Sequence, residues 1–224
     1  MDKAGKLAIR AVEVTLFGSA LILVVVGSLT GDSFYLRLAT EALIFGGLAL
    51  SVDLLLGIVG LLSLGQALYF GFGAYLSALI LKEVYPSFWL AMCLVGICSA
   101  ALGYAASFIA LRSKGVYFAL ITFGLAQVVA KGVYNTRALG ASDGLIGVPV
   151  IKLWTPIGNL DTANPAVLFT VVFLVVFCLY YFVKYFLTTP MGSIWQGIRS
   201  NEHRLSFIGI ESTGPKRFAF VIAA

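Results

Sequence analysis

Charge is what this 224-residue sequence has least of: 11% of its residues are Asp, Glu, Lys or Arg, against 60% hydrophobic. A soluble domain carries roughly 25% charged residues, so a water-facing globule is excluded and a polytopic membrane protein is expected. Histidine is nearly absent, with His203 alone, which leaves little for a histidine-based catalytic or metal site. Three cysteines, Cys93, Cys98 and Cys178, all lie inside apolar runs and have neither zinc-site nor disulfide spacing, so they read as small buried hydrophobes. No GxxxxGK[ST] sequence occurs, and any nucleotide must bind elsewhere. The net charge of +5 does not point to nucleic acid, because the basic residues sit in gaps between apolar runs and not on one aromatic-interleaved face.

Long apolar runs are abundant. A helical span needs about 20 mainly apolar residues, and six candidates meet that measure: Ala11 to Leu29, Leu38 to Leu56, Ile58 to Leu81, Phe88 to Leu111, Val116 to Ala130 and Ala166 to Leu187. Arg217 to Ala224 begins a seventh and stops, so the chain is expected to be incomplete at its carboxy terminus. The fold class is an all-α transmembrane bundle, a single domain over 1–224. The amino terminus resembles a signal peptide but has no small-residue cleavage site, and is kept as a retained first span. With that terminus in the cytoplasm, ten of the 15 Lys and Arg residues fall inside and five outside, in accord with the positive-inside rule.

One stretch is too long for a single span. Between Asp53 and Lys82 lie 28 uncharged residues, about 42 Å as helix, and a break at Gly57 to Gly60 is expected. The same stretch carries Gly57, Gly60, Gly65, Gly71 and Gly73 together with Ser63, Gln66, Tyr69, Tyr75 and Ser77. Glycine lets backbones approach or unwind, and polar groups at membrane depth must face protein, water or a solute. Ser63, Gln66, Tyr69, Gly71, Gly73 and Tyr75 are therefore the candidates for a translocation path, with helix packing as the rival reading. Ser63, Gln66 and Tyr69 or Phe70 would share a face at three-residue spacing. In the fourth span, Ser99, Gly103 and Ser107, and likewise Gly96 and Ala100, repeat every four residues and read as close helix packing.

Two polar segments remain. Residues 131–165, outside, are rich in turn formers and form a periplasmic loop. Residues 188–216, inside, place Thr189 before Pro190 as a helix start, followed by Ile194, Trp195, Ile198, Leu205 and Ile208 at nearly helical spacing. Gly209, Gly214 and Pro215 are expected to end that helical stretch. Its mixed composition suits docking on a partner protein better than adhesion to anionic lipid.

Two other chemistries are weighed. The sequence GASDG, Gly140 to Gly144, places Ser142 as in a hydrolase nucleophile elbow, but His203 would be across the membrane and an ordinary turn is the simpler reading. Asp53 or Glu41 could couple protons in a secondary carrier, yet they lie about 120° apart on one helix and near span ends.

Three stretches together resemble the permease subunits of bacterial ATP-binding-cassette importers for branched-chain amino acids. LLLGIVGLLSLGQALYFGFGAY, Leu54 to Tyr75, is similar to the family's SLG(H/Q)AxFFGxGAY signature. LRSKGVYFALITFGLAQVV, Leu111 to Val129, resembles its LRxxGxYFAxxTL segment, with ASDGLIGVP following. GSIWQGIRSNEHRLSFIG, Gly192 to Gly209, resembles its coupling loop, with Ser193 in place of the usual Arg and Gly197 in place of Ala. The resemblance implies a bacterial inner-membrane, multi-pass transport subunit with no catalytic residue, metal or cofactor of its own. It implies a second related permease, two cytoplasmic ATPase subunits that bind ATP, a periplasmic solute-binding protein and surrounding lipid as partners. It also implies an ATPase contact at Gly192, Ile198, Arg199, Asn201, Glu202 and Arg204. Urea or a short amide is the alternative solute.

Overall fold

The structure, a computed structural model, describes Gly18 and residues 33–141, 143–150, 152–155 and 158–224. Apart from Gly18, the expected first span and the amino terminus lie outside the described residues, as does Ser142. Five helices in the described part are long and apolar enough to cross a membrane. They are α1 (Ser33–Asp53, prolonged by a π-helical turn Leu54–Val59), α2 (Gln66–Leu79, prolonged to Val84), α3 (Phe88–Ala110), α4 (Val116–Asn135) and α5 (Pro165–Thr188). Two shorter helices follow, α6 (Pro190–Phe207) and α7 (Thr213–Ala223).

The helix break falls later than the glycine pattern suggested. The chain stays helical through Gly57, widening into a π turn, and leaves the helix only at Gly60, whose φ of 83° is left-handed and suits a residue without Cβ. Residues 60–65 are irregular, and α2 begins at Gln66 and not at Ile58. Ser63 is therefore on the break, and the expected helical face joining it to Gln66 and Tyr69 does not exist as a face. The wider turn leaves the carbonyl of Leu55 to accept from Leu61 N–H at 2.8 Å.

Beyond the apolar run, α4 continues to Asn135, and the polar segment after it holds the one pair of strands among the described residues. There β1 (Lys152–Thr155) pairs antiparallel with β2 (Gly158–Asp161), with Leu153 opposite Leu160. Lys82 Nζ donates to the carbonyl of Ile146 at 3.2 Å, so the far end of α2 and this loop share one side of the bundle. Asn164 caps α5 by accepting from Ala166 N–H at 3.0 Å, and Pro165 occupies the first helical position, where its missing N–H is harmless.

The core gathers at the other end. Leu54, Leu55, Val59, Tyr69, Ala110, Phe118, Trp195, Ile198, Ala219, Phe220 and Ala223 form one buried cluster joining α1, α2, α3, α4, α6 and α7. The four-residue repeat Ser99, Gly103, Ser107 is buried against α7: a Cβ on Gly103 would lie 2.6 Å from the Cβ of Ala224. Gly96 has open space around it and takes no part. Gly214 and Pro215, expected to end a helical stretch, instead lie in the first turn of α7, where proline is tolerated. The cysteines are free as expected, but Cys93 and Cys178 are exposed on apolar helix faces and not buried.

Candidate functional site

The site is assembled where the break in the chain meets α6. Leu64 N–H donates to Thr122 Oγ1 of α4 at 3.1 Å, and Thr122 Oγ1 in turn donates to Ala119 O. Gly65 lies so close to α4 that a Cβ would stand 2.8 Å from the carbonyl oxygen of Thr122. A short polar residue in an otherwise apolar span thus pins the irregular segment, satisfying an amide that lipid could not. Thr122 lay within the second resembling stretch, but its partner could not be read from spacing.

The six translocation candidates divide into two groups. Ser63, Gln66 and Tyr69 are all buried, at 6%, 3% and 5% exposure. Ser63 Oγ accepts from Gly65 N–H, and Gln66 Oε1 accepts from Ser51 Oγ of α1 at 3.1 Å. Tyr69 is engaged in packing: its ring meets Phe220 of α7 edge-on at 6.0 Å, and Phe220 meets Phe118 of α4 the same way. Gly71, Gly73 and Tyr75 lie farther along α2 and are half-buried, with Gly73 facing Val95 of α3. Phe70 points elsewhere and stacks on Phe45.

The six cytoplasmic candidates also divide. Thr189 takes the N-cap position of α6 with Pro190 after it, yet its hydroxyl donates back to Phe186 O at 2.6 Å, closing α5. Gly192 is buried, with the Leu187 backbone where its Cβ would be, and Ile198 is in the core. Arg199 Nη1 donates to the carbonyl of Gly57, and its stem packs along Gly60. Asn201 is extended (φ −165°, ψ 96°), kinks α6 in mid-course, and accepts Arg204 N–H on its side chain at 3.1 Å, in effect recapping the second half. Asn201 and Arg204 are exposed, as is His203, which stacks on Phe207.

Glu202 is held within the chain. It pairs with Lys216 Nζ at 2.6 Å and accepts from Ser212 Oγ at 2.5 Å. Partial burial opposes its ionised form, but the Lys216 and Ser212 hydrogen bonds, with the charges of Lys216 and Lys114, outweigh that and hold its carboxyl below the ordinary value. Trp195 Nε1 donates to Pro215 O at 2.9 Å, so α6 is tied to α7 at two points. A cleft of about 460 Å³ opens beside them, lined by Gly57, Ile58, Leu187, Gln196, Arg199 and Ser200. Among the described residues no group of His, Cys, Asp and Glu could hold a metal ion, and Glu41 and Asp53 lie on exposed faces.

Residues 34–224, which take in α1 to α7, match the family described as the branched-chain amino acid transport system / permease component. The chain belongs to that family. It is 28% identical over 207 residues to the high-affinity branched-chain amino acid transport system permease protein LivM of Salmonella typhimurium, covering 84% of this chain and 49% of that protein. LivM of Escherichia coli is 26% identical over the same shares. The chain spans about half the length of these curated relatives. No solved structure matches it. As a member of this family built on apolar helices, it is a multi-pass integral protein of the bacterial inner membrane.

Proposed function

We propose that this chain forms part of the translocation path of an ATP-binding-cassette importer for branched-chain or related amino acids. ATP would be hydrolysed on two separate cytoplasmic subunits, a related permease would complete the path, and a periplasmic binding protein would deliver the solute. The observation that carries the reading is Arg199 of α6, which donates to Gly57 and packs on Gly60 at the lip of the break. A movement of α6 imposed by an ATPase would reach the break directly, without passing through a flexible linker. The ion pair Glu202–Lys216 and the Trp195–Pro215 hydrogen bond make α6 and α7 move together.

On this reading the coupling residues have different roles. Asn201 and Arg204 are free to meet the ATPase, Arg199 passes the motion inward, and Gly192, Ile198 and Glu202 keep α6 in place. Two packings of the break that differ by little in free energy would be biased by nucleotide state.

The test is ATP-driven leucine uptake by the full-length permease with all its partners in proteoliposomes. Arg199→Ala is expected to leave ATP hydrolysis running while uptake falls about tenfold. Unchanged uptake in Arg199→Ala sinks the coupling role. Titrating the partner binding protein with branched-chain amino acids and with urea decides between the two solute classes.

A further inference from the structure

Two buried polar side-chain atoms among the described residues have no hydrogen-bond partner, Arg217 Nε and Gln66 Nε2. Arg217 has another source of stabilisation, since its guanidinium lies 4.1 Å from the centroid of the Phe108 ring. Gln66 has none. Its side chain is 3% exposed, and Ser51 engages only one end of an amide that has two donors and an acceptor to satisfy. An unmatched donor at this depth is costly, because lipid offers no replacement partner. Such a group persists where another state of the molecule satisfies it.

Its location says what would satisfy it. Gln66 is the first residue of α2, a 14-residue helix whose N-cap, Gly65, supplies no side-chain cap. The N–H groups of Leu64, Gly65 and Leu68 are taken by Thr122 Oγ1, Ser63 Oγ and Gly65 O. No acceptor among the described residues matches the N–H of Gln66 or Ala67. An uncapped helix start carries partial positive charge, and here it is joined by a neutral amide whose acceptor end is already engaged by Ser51. Donors without acceptors, at the start of a helix interrupted within the membrane, suit an oxyanion.

We propose that Gln66 Nε2 and the uncapped first turn of α2 form a subsite for the carboxylate of the transported solute, closed in this conformation by the 60–65 break. This rests on the reading of the chain as an amino acid path, and it favours a carboxylate solute over a neutral amide such as urea. Ser51 orients the amide, leaving its donor end for the ligand. Opening requires the break to lift from α4. The break has a left-handed glycine at one end and a glycine in close contact with Thr122 at the other.

The test uses the complete importer in proteoliposomes, with leucine as the probe. Gln66→Leu removes the unmatched donor. It is expected to raise the thermal midpoint of the assembled complex while cutting leucine uptake at least tenfold. Gln66→Glu, nearly the same shape, sets an acceptor and a negative charge against the carboxylate and is expected to cut uptake further. A packing role predicts the same gain in stability for Gln66→Leu but with uptake intact, and that result overturns the subsite. As a second measurement, leucine carrying a ¹³C carboxyl is expected to show a dipolar contact with a ¹⁵N-labelled glutamine side chain, lost in Gln66→Leu. A bound carboxyl with no glutamine contact also overturns it. A wild-type complex that moves no amino acid overturns the functional reading itself, whereas an active wild type matched by Gln66→Leu overturns the subsite alone.

Discussion

The two ends of this bundle are built differently. At one end, α6 and α7 meet the ends of α1, α3 and α4 through a large buried cluster that includes Trp195 and Phe220, an ion pair and a tryptophan hydrogen bond. Toward the other end Ile80, Leu81 and Ala91 form only a small cluster, Leu36, Leu153 and Phe169 are buried apart from it, and α5 presents Leu168 and, nearer its middle, Leu174 outward. Lipid is as apolar as leucine, so an exposed face on a span costs little, and packing is needed only where helices must hold a fixed relation. On the proposed reading, the densest packing lies where motion would enter the protein.

That contrast makes Trp195→Ala the most damaging change. It empties a fully buried site and removes the donor to Pro215, at a cost of about 3–5 kcal/mol. A large drop in the thermal midpoint of the purified protein is expected, and a small one would mean that the cytoplasmic cluster does not hold the ends together. Gly60→Ala comes next. A side chain at φ 83° costs about 1–2 kcal/mol, and it would also press on Arg199, so both stability and coupled uptake should fall.

Glu202→Gln tests the tie between α6 and α7, with an expected loss of about 1 kcal/mol, as for a partly exposed ion pair. Because folding lowers the Glu202 pKa, its contribution is fully present above the ordinary value of 4.5 and is lost as pH falls through the depressed folded value. Thermal midpoints of the wild type and Glu202→Gln should therefore differ near neutrality and converge in acid. Leu174→Ala, on the lipid face of α5, should change stability by less than about 0.5 kcal/mol. A loss comparable to that of Trp195→Ala would show that this face is buried against protein.

Particular residues mark how far the sequence could be read. The spans were legible because a bilayer imposes length and apolarity on local sequence, and Thr189–Pro190 announced a helix start. The resemblance located the cytoplasmic helix. The position of the break was not legible, because five glycines compete for it within one stretch. The Thr122 hydroxyl and the Arg199 side chain, 58 and 142 positions from their partners, decide among them. Nor could spacing reveal that Tyr69 would be used against Phe220, that Glu202 would turn inward to Lys216, or that the residues from Thr213 onward would pack on α3.

By itself, then, the sequence determined a membrane-embedded helical chain and its kinship, since these follow from composition and short motifs that each segment carries alone. Only the tertiary structure decided where α1 ends, which polar groups are satisfied, and that the amide of Gln66 is left with an unmatched donor. Those outcomes depend on which distant groups arrive at hydrogen-bonding distance, and no local pattern encodes that meeting.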